Sequence, residues 1–262
     1  MVGLCKAERR SSGLIVETNS TYCKNCGTEV SKGYCPNCGQ RTSIYKVTFK
    51  ETFQDFIDAV FSVDAPFFNT IKWLFVNPGK LFREYLEGKR KRYYKPVAFF
   101  ILMTIVYLVI RSLINYDPFA NTTLAVEDDT QRQLLTQARN YMLLNIDKLL
   151  FVFVFTLSLL LKLFFWRKHS LAEFFAVSFY LTAVYTILTT LNMFVIHFIN
   201  PGIQYLAMFA MLLYFCYAML RFFSRRKWLV LLKSIFIFIV GFSSYGLTAF
   251  GISFLIIYLK QM

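Results

Sequence analysis

The sequence predicts an all-α integral membrane protein: about five transmembrane helices, preceded by a small knot of four cysteines and by short amphipathic helices in the membrane interface. Three observations carry that prediction. The composition is 56% hydrophobic and 19% aromatic, with thirty Phe and only 17% charged residues, where a soluble domain holds roughly 45–50% apolar residues. Five apolar segments approach the about 20 residues a helix needs to cross a bilayer. The net charge of +14 borders those segments: sixteen Lys/Arg and nine Asp/Glu lie between Met1 and Lys95, and no acid follows Glu173. Such a distribution reads as topology and argues against nucleic acid as a partner.

Residues 1–20 read as a disordered leader. Their one apolar run, Gly13-Leu14-Ile15-Val16, falls far short of the roughly 7–15 residues of a signal-peptide core. Residues 21–42 hold the cysteine knot "YCKNCGTEVSKGYCPNCGQ". Cys23 and Cys26, and then Cys35 and Cys38, form two C-x-x-C-G turns. Each turn brings two sulfurs to one point, and Gly27 and Gly39 permit the left-handed backbone the turn requires. Four thiolates in a tetrahedron suit one Zn²⁺ ion, with Zn–S near 2.3 Å. Iron in the same ligand set would be a redox centre, but no electron partner is visible. Two disulfides are disfavoured by the reducing side of the membrane on which the topology places the segment. With four protein ligands no position is left for water, so a zinc ribbon here is structural, and so short a piece needs the metal to fold.

Residues 47–95 read as interfacial helices. Thr48 and Glu51 stand in capping-box spacing, and Phe49, Phe53, Phe56, Ile57 and Val60 share one face. Asp64 is a plausible N-cap with Pro66 in the first turn. A third helix starts at Asn77-Pro78 and stops at Gly88. Each is too short to span, and each sets aromatic or aliphatic residues against charges, as helices in the interface plane do. A small soluble helical domain is the alternative, though so many aromatics would need partners.

Residues 96–262 read as the five-span bundle, with spans near 97–115, 149–166 (or 146–166), 174–199, 203–220 and 229–259. The connection 116–145 holds an outer helix running into the second span. The fifth segment exceeds what a bilayer requires; it can tilt, start in the interface near Lys233, or break at "GFSSYG" (241–246). Lys89, Arg90, Lys91, Arg92 and Lys95 precede the first span, Arg167 and Lys168 follow the second, and Arg221, Arg225, Arg226 and Lys227 follow the fourth. All three clusters fall on the side of the N-terminus. The positive-inside rule therefore places the N-terminus in the cytoplasm and the C-terminus outside.

The spans offer little acid–base chemistry. Arg111, Lys162 and Lys233 lie near span ends, where their long stems can snorkel. His169 and Glu173 form an i, i+4 pair, and His197 sits near an outer end. Thr182, Thr186, Thr189, Thr190 and Asn192 mark the third span, and Ser244, Thr248 and Gly251 one face of the fifth. Small and hydroxyl residues read first as helix packing and second as a transport path. The cations Lys89, Arg90, Lys91, Arg92 and Lys95 form a topogenic stop that can also hold anionic lipid headgroups. The common nucleotide, hydrolase and metalloprotease motifs are absent.

The order of parts resembles a known family. The ribbon "CKNCG…YCPNCGQ", then "FSVDAPFFNTIKWLFVNPGKLFREYLEGKRKRYYKP", then a multi-span bundle is similar to bacterial zinc-ribbon membrane proteins known only as a domain of unknown function. The resemblance is clearest from Cys23 to about Phe100. It implies a bacterial inner membrane and supplies no catalytic residues. The expectation is a non-catalytic multi-pass membrane protein, a scaffold or regulator whose ribbon docks a protein partner. The alternative is a transporter or channel for a small solute or lipid, using a broken fifth span and the Thr/Asn face of the third. A lipid-modifying enzyme ranks last for want of an acid and a base.

Overall fold

The computed structural model describes residues 22–30, 33–42, 66–116, 129–198, 203, 205–223 and 226–261. The leader, the amphipathic segment 48–60, Asp64 and the turn 200–202 lie outside the described residues. Apart from two single antiparallel bridges in the ribbon, the regular structure described is helical. The helices are α1 (Pro66–Val76), α2 (Pro78–Leu86), a 3₁₀ turn (Arg90–Arg92), α3 (Pro96–Leu113), α4 (Asp129–Leu144), α5 (Ile146–Phe164), α6 (Leu171–Phe198), α7 (Leu206–Phe222) and α8 (Lys227–Gln261).

Three stretches are long and apolar enough to cross a membrane: Arg90–Leu113, Leu171–Phe198 and Lys227–Lys260. α4 and α5 add a fourth candidate only as a pair, because the chain bends by 80° at Asn145 between them. α7 is apolar but has 17 residues. By length and composition the chain has the helices of a membrane protein: three candidate spans, or four if the bent pair counts as one.

α6 is the central post. It packs against α3, α5 and α7, and its buried residues, among them Phe174, Val177, Tyr180, Leu181 and Val184, lie on every side. A helix apolar all round is what such a position demands. α8 packs against α5 and α7, and also against α4. It runs unbroken through Gly241–Ser243–Ser244–Gly246, so its length is not resolved by a kink. At 35 residues and about 1.5 Å per residue it is much longer than a bilayer core, and α4 partners part of that length. Continuity has a physical reason: opening a helix among apolar side chains would strand backbone N–H and C=O groups without water.

The two ends of the bundle differ in charge. At one end, Arg111 donates to the carbonyls of Tyr116 (3.2 Å) and Leu143 (2.8 Å), tying the end of α3 to the α4–α5 bend. At the other, Lys162 Nζ donates to the carbonyls of Trp166 and His169 (both 2.8 Å), and Lys233 Nζ to that of Phe164 (3.0 Å). These long cations tie carbonyls at the helix ends and in the connections beside them.

α1 and α2 form a collar on this second end. Asn77 Oδ1 accepts from the Lys80 N–H, Pro78 opens α2, and Gly88 (φ +109°) closes it, as the sequence predicts. The expected lipid-facing side is divided. Leu74, Leu81, Phe82 and Tyr85 are buried in protein, with Phe82 beside Tyr180 and Phe222, whereas Phe68, Phe75 and Val76 stay exposed. Bundle tyrosines satisfy the collar's backbone. Tyr214 and Tyr217 donate to the carbonyls of Leu74 and Val76, and Tyr180 donates to that of Tyr94. Gly79 lies flat against the end of α7, where any Cβ would collide with the Arg221 carbonyl, and Arg83 donates to the carbonyls of Arg221 and Phe222.

Candidate metal centre

The ribbon is one short motif written twice, twelve positions apart. Tyr22-Cys23-x-Asn25-Cys26-Gly27 recurs as Tyr34-Cys35-x-Asn37-Cys38-Gly39. In each copy the glycine N–H donates to the first cysteine's carbonyl, Gly27 to Cys23 (2.8 Å) and Gly39 to Cys35 (2.9 Å). The chain then returns so that Cys23 N–H meets the Thr28 carbonyl and Cys35 N–H that of Gln40. Single bridges close each hairpin, Tyr22 with Glu29 and Tyr34 with Arg41. Gly27 and Gly39 have φ of +75° and +65°, the left-handed region the sequence assigns to them.

The four sulfurs converge. Cys23 Sγ lies 3.6 Å from Cys38 Sγ, Cys26 Sγ 3.5 Å from Cys35 Sγ, and all four fall within 4.8 Å of one another. A tetrahedral ion with metal–sulfur bonds near 2.3 Å sets its sulfurs about 3.8 Å apart, so the cluster is sized for a metal ion. The thiols are free, with no disulfide among them, and the separations are far beyond the roughly 2.05 Å of an S–S bond. The sulfurs differ in environment. Burial pushes the Cys23 thiol up to about 11. The Thr28 hydroxyl, 3.2 Å from Cys26 Sγ, and the Thr28 backbone pull that exposed thiol down to about 6. A metal would hold all four as thiolates, so binding it releases protons.

Where the two copies of the motif differ, the ribbon meets the rest of the chain. The second copy carries Gln40 where the first has Thr28; Gln40 is buried, and its Nε2 donates to the Gly88 carbonyl at the end of α2. Tyr22 and Tyr34 are exposed, each at 58%. The Arg41 guanidinium lies 5.7 Å from the centre of the Tyr34 ring and donates to its hydroxyl.

The collar cations are not all turned to solvent. Glu84 accepts from the Tyr93 hydroxyl and from Lys89 (3.2 Å), and Arg92 lies 3.5 Å away. Burial alone would raise the Glu84 carboxyl; the Tyr93 hydroxyl, Lys89 and Arg92 outweigh it and hold it below its ordinary value. Arg92 also lies over Trp73 and Tyr93. Arg90 and Lys95 are half-buried and Lys91 is exposed.

Two of the span hydroxyls bond back to their own helices. Thr186 and Asn192 are buried on α6, and Thr186 Oγ1 donates to the Ala183 carbonyl of its own helix. On α8, Ser244 is half-buried and Thr248 exposed, its hydroxyl bonded back to Ser244 and Tyr245. Gly246 and Gly251 have nothing within reach of an added Cβ, while Gly241 approaches Leu160. One site residue escaped the sequence reading. Ser170 and Glu173 form a reciprocal capping box at the start of α6, a pattern legible as S-x-x-E, with His169 Nδ1 3.4 Å from the same carboxylate.

Comparison with known proteins reaches the collar and most of the helix that follows it. A family model described as "Protein of unknown function (DUF3667)" matches residues 64–108, which span α1, α2 and most of α3. No curated protein matches the chain, and no solved structure does.

Proposed function

We propose that this is a non-catalytic protein of the bacterial inner membrane, a scaffold or regulator whose cytoplasmic ribbon holds one structural Zn²⁺ and docks a protein partner. The observation that carries the reading is the ribbon's two-sidedness. Its Gln40 side is fastened to the collar, while Tyr22, Tyr34 and Arg41 are exposed. Tyr and Arg are the residues enriched where proteins meet. Four sulfur ligands with no histidine or carboxylate favour zinc in a closed, structural role.

Five spans are part of this proposal. α5 and α7 join α3, α6 and α8 as crossing helices, since a 17-residue helix packed between neighbours is at the short end of the spanning range. The grouping of Arg83 with the end of α7, and of Lys233 with the end of α5, supports one basic, cytoplasmic end with the ribbon. The C-terminus is then outside, and the exposed collar cation Lys91 with its neighbours Arg90 and Lys95 faces anionic headgroups.

Recovery of cross-linked partners from native membranes tests the docking role. Tyr22→Ala with Tyr34→Ala should abolish recovery of the partner while metal content and membrane insertion stay unchanged. Equal recovery with and without the two rings would overturn the proposal.

A further inference from the structure

The basic end of the bundle holds a cleft that none of the ribbon, the collar or the spans requires. It has a volume of about 610 Å³ and opens between the α5–α6 connection and the start of α8. Its apolar wall is a stack of rings: Phe165 lies on Phe223 with centres 4.2 Å apart and planes 14° from parallel, and His169 lies on Phe222 at 5.0 Å and 16°. Three cations line the same space, Lys168, Arg226 and Lys233, and among the described residues no acid lines it. Glu173, beside the lining residue His169, is occupied by the Ser170 N–H and by His169 itself.

The walls are fixed by the chain itself. Lys233 is anchored by the Phe164 carbonyl and lies 5.4 Å from the centre of the Phe165 ring. Lys162 gathers the carbonyls of Trp166 and His169 from the back of the connection. Arg226 has φ +50°, a left-handed backbone that an arginine adopts only when its surroundings impose it. It stands at the N-terminal end of α8, whose dipole adds positive potential to the mouth of the cleft.

Cations over an apolar floor, with no acid among the described lining residues, suit a ligand that is anionic at one end and apolar at the other. We propose that this cleft binds a phosphate group, carried by an anionic membrane lipid or by a free phosphate ester, with the stacked rings receiving the adjoining apolar part. Basic pockets between membrane helices bind lipid phosphates in this manner. The site is separate from the collar cations and does not depend on what the ribbon docks.

The test uses the full chain purified in mild detergent. Native mass spectrometry compares retention of phosphatidylglycerol with that of phosphatidylcholine, and ³¹P line broadening follows inorganic phosphate. The variant combines Lys168→Gln with Arg226→Gly. Lys168 is exposed, and glycine suits the backbone at position 226, so the fold is kept; an unchanged melting temperature verifies that. Arg132→Gln, at the far end on α4, is the control. The wild type and the control should retain one phosphatidylglycerol in preference to phosphatidylcholine, and the double variant should retain it at least about tenfold less. Broadening of inorganic phosphate that the double variant abolishes would assign the site to the phosphate alone. Retention of the lipid without such broadening would assign it to membrane lipid. Equal retention by variant and wild type, or no binding of either probe, would overturn the proposal.

Discussion

The ribbon and the collar are neighbours joined by the Gln40–Gly88 hydrogen bond, yet they are folded by opposite means. The ribbon buries little beyond two of its cysteines and Gln40; its convergent sulfurs are its core. The collar has no metal ligands. It is held by Leu74, Leu81, Phe82 and Tyr85, by three bundle tyrosines, and by a glycine pressed on the end of α7. A folding free energy concentrated in one ion can be removed in one step, whereas one spread over packing and hydrogen bonds can only be worn down. The comparison predicts that the two regions fail separately.

The largest effect should follow metal removal. Binding of a structural zinc to such a ligand set contributes about 10–16 kcal/mol at neutral pH, more than a piece of this size gains from its side chains. Chelation, or Cys35→Ser, should therefore unfold residues 22–42 entirely. The collar would lose the Gln40–Gly88 bond, worth about 1 kcal/mol. Hydrogen exchange should show full loss of protection in the ribbon and near-native protection in α2 and α6. Simultaneous loss in α2 would mean that the ribbon holds the collar rather than rests on it.

The next effect reverses the comparison. Gly79→Ala puts a methyl group into the backbone of Arg221 and Phe222, and backbone cannot swing aside as a side chain can. α2 must lift from α7, taking Arg83 from its two carbonyls and Phe82 from its ring partners. Overpacking alone costs about 1–3 kcal/mol, and the lost Arg83 bonds add about 2 kcal/mol. The thermal midpoint in detergent should fall clearly while the metal content of the ribbon stays that of the wild type. Loss of the ribbon's metal in this variant would erase the distinction between the regions.

The distinction also shows how far the sequence could be read. The helices of the bundle were legible because apolar runs and basic borders are local signals: the expected 97–115 appears as Pro96–Leu113, and 203–220 as Leu206–Phe222. The cysteines, their two glycines, and the Asn77 and Gly88 caps were legible for the same reason. What joins these pieces was not. Tyr214 meets the Leu74 carbonyl across 140 positions and Tyr180 meets that of Tyr94 across 86, and nothing in a tyrosine announces its acceptor. The same distance hides the cleft, whose walls come from two connections far apart in the chain. The sequence left open whether "GFSSYG" breaks the fifth segment, and the helix runs through it. In water its glycines would weaken a helix, but among apolar neighbours the backbone keeps its hydrogen bonds because it has no other partner.

The smallest effect concerns the one carboxylate that the collar shields. Glu84 is held below its ordinary value of 4.5 by the Tyr93 hydroxyl, Lys89 and Arg92, against the opposing pull of burial. A carboxyl whose pKa is lower in the folded than in the unfolded chain binds its proton more weakly when folded. Its stabilisation is therefore complete above the unfolded value and is lost as pH falls through the folded one. Glu84→Gln should lower the melting temperature at neutral pH by an amount equivalent to about 2 kcal/mol, the worth of a hydrogen bond to a charged acceptor. It should also flatten the decline in stability of the wild type below about pH 4.5. Ribbon metal must be watched separately, because acid also protonates thiolates and releases the ion. Melting curves of metal-free wild type and metal-free Glu84→Gln remove that contribution. If the two curves keep the same acid slope, Glu84 is not what ties the basic turn to α2, and the collar rests on its packing and its tyrosines alone.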